Sequence, residues 1–443
     1  MQEKQGNGRN KMLVNNILFS GLLKLIGLCT SFLIVPVTLG YLDNESYGLW
    51  MTISSIGYLV FSFDIGLGNG MRNYLTAAIS SNDYETARIY VSSTFAMITT
   101  LACIIGAVGT VCIYLLDFNE ILNTSSLSNA TLRTAILAAL ILTLVQFVVK
   151  NIGFIYVAMQ KYAINDLLTI GGNVLALLLI FLLTKTTDGN LLYVIATFMG
   201  MPVLTFLLGS IPLFSKHPAL RPSAKSIDIK FSIGIIKKGI GFFIIQVTSC
   251  LIIFGGSNLF ISHFQGPETV TTYNIAYKYF NLLIISYTII IAPMWNAYTD
   301  AYVKGDWQWI HSTFKRALII WGASVLAGAV MLIGSNIFYK IWVGEAVTVP
   351  LSVSASVLVF VLLFNLNNCV TYLLNGLNTI MVQIYTSIIA TAFYIFVIAV
   401  YGDELSLESI VLSMAFCYAA MSLTHLYQCR LIILQKATGI WKR

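Results

Sequence analysis

Charged side chains are scarce in this sequence. Of its 443 residues only 10% are Asp, Glu, Lys or Arg, whereas 58% are hydrophobic. A typical soluble domain has about 25% charged residues. The shortage excludes an ordinary soluble protein and indicates a chain that is surrounded mostly by lipid.

Clustered metal ligands and reactive groups are missing as well. The seven cysteines occur singly, without a CxxC pair, and the four histidines form no HExxH or similar sequence. Isolated cysteines in apolar segments are typical of small buried side chains. The sequence also lacks a Walker A pattern, which disfavours direct use of ATP. We therefore expect neither a metal site nor a cofactor.

The sequence also lacks long segments outside the predicted membrane spans. The longest loop that we expect on the outer side, residues 117–132, contains only two acidic residues, Asp117 and Glu120. Chemistry on sugars needs positioned acids and bases beside a face that can hold the acceptor. We therefore expect that the protein is not an enzyme. The alternative is a membrane-embedded polysaccharide polymerase or glycosyltransferase.

Long apolar segments, in contrast, are abundant. A membrane-spanning helix needs about 20 apolar residues, and about twelve segments approach or exceed that length. They cover roughly residues 13–38, 47–64, 90–116, 134–157, 166–184, 191–214, 239–262, 271–297, 316–338, 351–374, 382–401 and 409–434. The first follows Lys4, Arg9 and Lys11 and is too long for the core of a signal peptide. The sequence predicts an all-α, polytopic membrane protein in which this first segment is a spanning helix.

Basic residues indicate how the chain crosses the membrane. With the N-terminus in the cytoplasm, most of the 25 Lys and Arg residues fall in cytoplasmic loops, as the positive-inside rule requires. Both termini are then cytoplasmic. We expect membrane lipids, and no nucleic acid, as the partners of this basic surface.

The largest basic cluster separates two predicted halves. We expect an N-terminal six-helix bundle at residues 1–214, a cytoplasmic basic linker at residues 215–238 and a C-terminal six-helix bundle at residues 239–443. The linker could also rest on anionic headgroups. Its basic residues are Lys216, Arg221, Lys225, Lys230, Lys237 and Lys238.

The two halves contain similar loops. Residues 40–50 (GYLDNESYGLW) precede the second predicted span, and residues 264–277 (FQGPETVTTYNIAY) open the eighth. An acidic-aromatic pair lies further along each half, Asp83-Tyr84 in one and Asp306-Trp307 in the other. The spacing from Glu45 to Asp83 equals the spacing from Glu268 to Asp306. An even number of helices in each half predicts a parallel repeat about an axis along the membrane normal.

Three lysines fall inside predicted spans: Lys24 in the first, Lys150 in the fourth and Lys278 in the eighth. A lysine near a helix centre costs about 2.5 to 3.5 kcal/mol on insertion scales. On the helical face of each lysine the neighbours are polar or small, which indicates that these faces do not contact lipid. The neighbours are Asn16, Ser20, Gly27 and Ser31 around Lys24, Thr143, Gln146 and Gly153 around Lys150, and Thr271, Asn274 and Asn281 around Lys278. Asn365 and Asn368 in the tenth span add to this polar set.

Structural explanations for these residues stay open. Lys150 and Lys278 lie near predicted span ends and could reach the interface with their side chains. The asparagines could join neighbouring helices. Lys24 is roughly 20 Å deep at 1.5 Å per residue, so a hydrogen bond between helices is its structural alternative.

Carboxylates are rare inside the predicted spans. Of the 18 acidic residues, Asp64 and Asp166 lie at span ends and none lies near a helix centre. Proton or sodium relays and pockets for cationic drugs usually need an intramembrane carboxylate. We therefore expect a cationic interior without counter-charges, whose substrate brings an anion such as a phosphate or pyrophosphate group.

Three stretches resemble a known family: GYLDNESYGLW (residues 40–50), SFDIGLGNGMRNYLTAAISSNDYETAR (62–88) and IAPMWNAYTDAYVKGDW (291–307). The second contains a glycine-rich turn with Asp64, Gly66, Asn69 and Arg72. With these residues the chain resembles the polysaccharide transport family. More narrowly, it resembles the Wzx-type flippases of the multidrug/oligosaccharidyl-lipid/polysaccharide exporter superfamily, over essentially its full length.

The resemblance implies two six-helix bundles in a V around a cationic cavity that alternates its access. The implied substrate is an undecaprenyl-pyrophosphate-linked oligosaccharide, an O-antigen or other surface polysaccharide unit, which moves to the periplasmic leaflet of the bacterial inner membrane. Lys24, Lys150 and Lys278 would contact the pyrophosphate or acidic sugars. Arg72 would lie at the cytoplasmic mouth, although it could equally be a loop residue that sets orientation. A polysaccharide polymerase and chain-length machinery are the implied protein partners.

Two other transporter classes share a six-plus-six arrangement. A drug exporter of the same superfamily is the main alternative, but it should carry a carboxylate inside a bundle. A major-facilitator transporter normally carries a D-R-x-G-R-R-like run in its second loop. The corresponding stretch here, GNGMRNYLTAAISSNDYETAR, lacks that run.

Overall fold

A computed structural model describes residues 2–64, 66–253 and 255–442 of the chain. It describes the side chains of these residues except at positions 2–18, 20, 56, 58, 69, 238, 239, 242, 255 and 256. The predicted roles of Lys4, Arg9, Lys11, Asn16, Ser20, Asn69 and Lys238 lie outside the described side chains.

The described backbone is almost entirely helical and contains no strand. The helices are α1 (Gln2–Tyr41), α2 (Asn44–Ser62), α3 (Leu67–Ser80), α4 (Tyr84–Leu115), α5 (Phe118–Leu122), α6 (Asn129–Val149), α7 (Asn151–Ala158), α8 (Tyr162–Thr186), α9 (Leu191–Lys216), α10 (Ile229–Ile253), α11 (Gly255–Gln265), α12 (Pro267–Ile291), α13 (Met294–Val303), α14 (Trp307–Val343), α15 (Leu351–Gly376), α16 (Met381–Tyr401) and α17 (Leu407–Ile433). Short 3₁₀ helices cover Pro218–Leu220, Ala224–Ser226 and Gly439–Lys442. The predicted all-α class is confirmed.

Eleven helical segments among the described residues are long and apolar enough to cross a membrane. Two of them continue through a local break in the helix: Asn129–Ala158 contains α6 and α7, and Pro267–Val303 contains α12 and α13. The second predicted span, residues 47–64, corresponds to α2, which is 19 residues long but is not one of the eleven. Thr52, Ser54, Ser55 and Gly57 make α2 less apolar than its neighbours.

The chain divides into two compact units. The first contains residues 1–121 and 125–243, and the second contains residues 122–124 and 244–443. In the first unit, α1 packs along α8, α8 along α9, and α6 against both α4 and α9. In the second unit, α15 packs against α12, α14 and α17.

Each unit has its own buried apolar cluster. In the first unit Met71, Leu75, Val91 and Phe206 belong to a cluster that joins α3, α4, α7 and α9. In the second unit a cluster joins α12, α13, α14, α15 and α17 and includes Tyr298, Ile310, Leu373 and Cys429. In lipid such contacts act through close packing rather than through release of water.

The basic segment at residues 215–238 packs against the start of α4. The Ser223 N–H donates to Ser92 Oγ at 3.0 Å, and the Asp228 N–H donates to Ser93 Oγ at 2.7 Å. Arg88 donates from Nη2 to the Pro218 carbonyl at 2.9 Å. This segment therefore belongs to the first unit, and its last part already forms the first turns of α10. The division into two six-helix bundles joined by a cytoplasmic basic linker stays a prediction.

The two acidic-aromatic pairs follow the same kind of turn. Asn82 and Gly305 both have a positive φ, 59° and 72°. The residues that follow them, Asp83 and Asp306, each donate their backbone N–H to a carbonyl five residues back at 2.9 Å. This is the left-handed ending that terminates a helix while satisfying its last carbonyls.

Asp83 and Asp306 then begin the next long helix in the same way. Asp83 Oδ1 accepts the Thr86 N–H at 3.0 Å, and Asp306 Oδ1 accepts the Trp309 N–H at 2.9 Å. Hydrogen bonds from Thr86 hold the pKa of the Asp83 carboxyl below its ordinary value. The aspartates of the two acidic-aromatic pairs are thus the N-caps of α4 and α14. Their carboxylates accept hydrogen bonds from backbone N–H groups that would otherwise lack partners.

Replacing Asp306 with alanine should lower the stability of the protein by about 1 kcal/mol, because the first turn of α14 loses its N-cap. Asp306→Ser should retain most of the stability, since serine is also a good N-cap. The thermal unfolding midpoint of each purified variant in detergent measures the effect.

The control is Asp300→Ala, which removes an exposed ion pair with Lys304 (2.6 Å) and no cap. Exposed pairs contribute only about 0–1 kcal/mol. Equal midpoints for Asp306→Ala and Asp306→Ser would contradict a capping role.

Candidate functional site

Lys150 lies in a small charged and aromatic cluster of the first unit. Its Nζ is 3.9 Å from Asp64 Oδ2, and these side chains are only 23% and 12% exposed. The same Nζ lies 4.6 Å from the ring centroid of Phe61 and 5.3 Å from that of Phe147. The ammonium group is therefore held by one carboxylate and by the faces of two aromatic rings.

The fold places this cluster at two helix interruptions. Between α2 and α3 the chain turns through Gly66, whose φ of +74° favours glycine. Asp64 Oδ1 accepts the Gly68 N–H at 3.1 Å and so caps the start of α3. Lys150 itself occupies the interruption between α6 and α7.

Gly68 allows α3 to approach α7 closely at this point. A Cβ atom at this position would lie 2.3 Å from Phe154 Cε2 and 3.0 Å from Asn151 Oδ1. The Asn151 side chain is fully buried and donates to the Phe147 carbonyl at 3.0 Å. The glycine-rich turn thus positions Asp64 opposite Lys150, and the close contact behind the pair depends on Gly68.

The ion pair corrects one expectation from the sequence. We expected the intramembrane lysines to lack counter-charges, but Asp64 supplies one to Lys150. The error arose because Asp64 appeared to be at the end of the second span and Lys150 inside the fourth. The helix interruptions bring the two to the same place, and the D-x-G turn signal was the feature that could have predicted this.

Gln146 lies one turn before Lys150 on α6. Its carbonyl accepts the Lys150 N–H at 2.9 Å, and its side chain is partly exposed. The structure therefore brings Gln146 and Lys150 together. Arg72, on α3, donates from Nε and Nη2 to the neighbouring Asn73 Oδ1 at 3.3 and 3.1 Å. A position for Arg72 at the cytoplasmic mouth stays a prediction.

Lys24 lies on the exposed flank of α1. The neighbouring face of this helix packs on α8: Leu23 is buried, and a Cβ at Gly27 would lie 3.3 Å from Ile170 Cγ1. Within the part of the chain that the structure describes, no carboxylate lies within 4 Å of the Lys24 ammonium group. Lys24 and Lys150 are thus different: one is exposed without an ion pair, and the other is paired.

The second unit contains Lys278 and the four asparagines. Lys278 is partly exposed on α12, and among the described side chains no carboxylate pairs with it. Asn274 and Asn281 lie one turn before and about one turn after it on the same helix and are also partly exposed. These three polar side chains therefore share a stripe of α12, as the spacing predicts.

Two of the asparagines join helices. Asn274 donates from Nδ2 to Asn258 Oδ1 of α11 at 3.0 Å, and the buried Asn365 donates from Nδ2 to the Leu283 carbonyl of α12 at 3.2 Å. The Oδ1 of Asn365 is buried without a hydrogen-bond partner among the described atoms. Asn368 lies three positions further along α15 and is partly exposed. The helix-joining explanation thus holds for Asn274 and Asn365.

Sequence reasoning missed a buried polar network in the second unit. His425 of α17 is fully buried; its Nδ1 lies 2.9 Å from Asn367 Oδ1 of α15, and its Nε2 lies 2.9 Å from Thr386 Oγ1 of α16. Beside it Gln383 Nε2 donates to Asn375 Oδ1 at 3.1 Å. A histidine in the middle of an apolar span was the available signal, since such a group needs polar partners.

No protein-family profile matches the chain. Its fold does match solved membrane transporters. A multidrug resistance MATE family transporter of the MOP superfamily, in an inward-facing conformation, aligns with a TM-score of 0.76 at 15% identity, covering 93% of this chain and 96% of that one. The lipid II flippase MurJ aligns with a TM-score of 0.63 at 12% identity, covering 96% and 94%. The chain is thus a multi-pass membrane protein with a MATE-like fold.

Two relatives are similar in sequence. A Yersinia pseudotuberculosis protein, provisionally named an O-antigen export protein, is 23% identical over 295 residues, which cover 63% of this chain and 64% of that protein. A Salmonella typhimurium protein, provisionally named an O-antigen transporter, is 23% identical over 134 residues, which cover 30% and 29%. Each match spans less than two thirds of the relative. Together with the fold, they confirm the resemblance that the sequence predicts.

Replacing Asp64 with asparagine should destabilise the protein, because Lys150 then keeps a half-buried charge without a counter-ion. We expect a loss of about 1–3 kcal/mol, between the values for exposed and fully buried pairs. Adding Lys150→Gln to the same chain should restore much of that loss. The thermal unfolding midpoints of the two single variants and the double variant measure the coupling. Additive losses in the double variant would show that the pair does not stabilise the fold.

Proposed function

We propose that this protein is a flippase for a lipid-linked oligosaccharide. The similarity to proteins named for O-antigen export carries the proposal. The fold shared with a lipid II flippase supports it, since lipid II is itself a lipid-linked molecule. The substrate in this proposal is an undecaprenyl-pyrophosphate-linked unit of an O-antigen or another surface polysaccharide.

Lys24 and Lys278 are the proposed contacts for the pyrophosphate. Neither has a carboxylate within 4 Å in the described structure, so neither is already paired with a protein anion. A lysine inside the membrane region is costly without a partner, and a phosphate group would supply the partner during transport. Lys150 has a secondary role in this proposal, because Asp64 already neutralises it.

The polar stripe of α12, together with Asn368 of α15, is the proposed contact for sugar hydroxyls. Asn281 and Asn368 have partly exposed side chains, and amide groups can both donate to and accept from a hydroxyl. Gln146 offers the same chemistry beside Lys150. Asn274 and Asn365 hold the surrounding helices together and thereby position this stripe.

The proposed direction is from the cytoplasmic to the periplasmic leaflet of the bacterial inner membrane, with alternating access and with both termini in the cytoplasm. The membrane potential favours this direction for an anion. Moving phosphate charge outward gains about 2.3 kcal/mol per charge for each 100 mV. A polysaccharide polymerase and its chain-length machinery would receive the flipped unit.

Export of cationic drugs is the second candidate, because the fold is shared with a multidrug transporter. A cationic drug needs an available carboxylate inside the protein. In the described part of the first unit, the carboxylate of Asp64 is already paired with Lys150. The two candidates therefore differ in the sign of the charge that the protein must bind, which single lysine substitutions can test.

Lys24→Ala should reduce delivery of surface polysaccharide by at least about ten-fold, because the protein loses a cation that binds the pyrophosphate. Lys24→Arg should retain delivery, since the charge is kept. The assay is complementation of cells that lack the gene for this protein, with surface polysaccharide and membrane abundance measured together. Full activity of Lys24→Ala would remove Lys24 from the substrate path.

The control for this experiment is Lys185→Ala. Lys185 is an exposed lysine in the last turn of α8, and it belongs to none of the proposed contacts. We expect normal delivery from this variant. An equal loss for Lys24→Ala and Lys185→Ala would indicate a general effect of removing lysine charge.

Lys278→Ala and Lys150→Ala should separate function from stability. Lys278→Ala should lose transport with an unchanged or higher unfolding midpoint, because it removes a charge without a counter-ion. Lys150→Ala should lower the midpoint, because Asp64 is left without its partner. Transport assays and midpoints on both variants provide the measurement. A lower midpoint for Lys278→Ala would indicate a structural partner instead.

A further inference from the structure

An apolar groove lies on the first unit between α8 and α9. It encloses about 550 Å³, within the roughly 300–1,000 Å³ that is usual for ligand sites. Leu167 and Leu208, on its two sides, are 46% and 54% exposed. Both helices are long and apolar enough to span a membrane, and the exposed leucines favour a groove that opens towards lipid rather than water.

The polar groups in the groove are already satisfied within the protein. Tyr156 donates its hydroxyl to the Gly209 carbonyl at 2.8 Å, and Thr205 donates its hydroxyl to the Leu168 carbonyl at 2.8 Å. Away from its basic end, the groove therefore has a wall that offers hydrocarbon contacts and no free side-chain hydroxyl donor. The groove therefore suits an alkyl chain and does not suit a polar solute.

The mouth of the groove is basic. Lys161 precedes α8, and Lys216 and His217 end α9, so all three lie at the same end of this antiparallel helix pair. No ion pair with a described carboxylate involves them, and Asp166 is not among the residues that line the groove. Burial, together with the nearby charges of Lys161 and Lys216, lowers the pKa of His217.

The length of the groove along the helices matches the thickness of one membrane leaflet. It runs from Lys161 to Gly171 along α8, ten residues that span roughly 15 Å at 1.5 Å per residue. A bilayer has a hydrocarbon core of about 30 Å, so one leaflet contributes about half of it. An amphiphile with its head at the lysines would lay one hydrocarbon chain along the groove and end near the middle of the bilayer.

We propose that this groove is a binding site for an anionic phospholipid of a single leaflet, whose phosphate lies between Lys161 and Lys216. By the predicted orientation this is the cytoplasmic leaflet. The site lies within the first unit and does not depend on the proposed flippase activity. A bound anionic lipid would anchor the adjoining ends of α8 and α9 to the headgroup layer, as juxtamembrane basic clusters do.

Two kinds of variant test the site. Gly171→Leu fills the groove: a Cβ at Gly171 meets no atom within 4 Å, so a larger side chain should enter the groove without disturbing the helix packing. Lys161→Gln and Lys216→Gln remove the charges at the mouth. Gly200→Leu and Lys185→Gln are the controls, because Gly200 has the same free space outside the groove and Lys185 lies at the other end of α8.

The measurement is lipid retention by the purified protein in native mass spectrometry, with phosphatidylglycerol and phosphatidylcholine added at equal concentrations. We expect a preference for phosphatidylglycerol that falls about five-fold for each lysine removed, by the usual contribution of one basic residue near an anionic surface. Gly171→Leu should reduce retention of both lipids. The two controls should behave as the wild type.

Three results would overturn the proposal. One is equal retention of the two lipids by the wild type. Another is unchanged retention of both lipids by Gly171→Leu together with an unchanged preference in the lysine variants. The third comes from adding a polyprenyl diphosphate: if Gly171→Leu and the lysine variants lose that molecule while they keep phosphatidylglycerol, the groove binds an isoprenoid substrate instead. Transport by the same variants is measured separately, so a failure of the flippase proposal does not affect this result.

Discussion

Backbone hydrogen bonding is the constraint that shapes this chain, because lipid offers a backbone N–H or carbonyl no partner. Long helices satisfy it along most of the chain. Where a helix stops, the structure needs a substitute partner, and it uses short side chains and left-handed residues for this purpose. Asp83 and Asp306 cap α4 and α14, and Asn82 and Gly305 close the helices before them.

The same constraint explains where charge can enter the membrane region. An aspartate that ends one helix and begins another has its carboxylate at the interruption, and at Asp64 that carboxylate also reaches Lys150. The pair is therefore a by-product of how α2 and α3 are joined. Lys278 lies in the middle of the uninterrupted helix α12, where no capping aspartate is available. This difference is the physical reason for assigning the two lysines different roles.

The sequence was sufficient for the helices but not for what happens between them. Apolar length predicted the all-α class and most of the spans. It overestimated the apolar character of α2, where Thr52, Ser55 and other small polar residues face buried surroundings. The polar stripe around Lys278 was predicted from its spacing, because position along one helix depends only on helical geometry.

Contacts between helices depend on where each helix is interrupted, and residue spacing does not encode that position. For this reason the sequence missed the Asp64–Lys150 pair and the bonds that join His425 to Asn367 and Thr386. The fold supplies these partners. The roles of Lys24, Arg72 and Asn368 in binding substrate concern a ligand, and they stay predictions.

The imidazole of His425 restricts how three helices of the second unit can move relative to one another. The buried ring of His425, on α17, forms one hydrogen bond with α15 and another with α16, so a single side chain connects three helices. Sliding any one of them would break a hydrogen bond that lipid cannot replace. These three helices should therefore move as one rigid body. In the proposed alternating-access cycle, bending would then fall on the remaining helices of this unit, and the interruption between α12 and α13 at Pro293 is a candidate hinge.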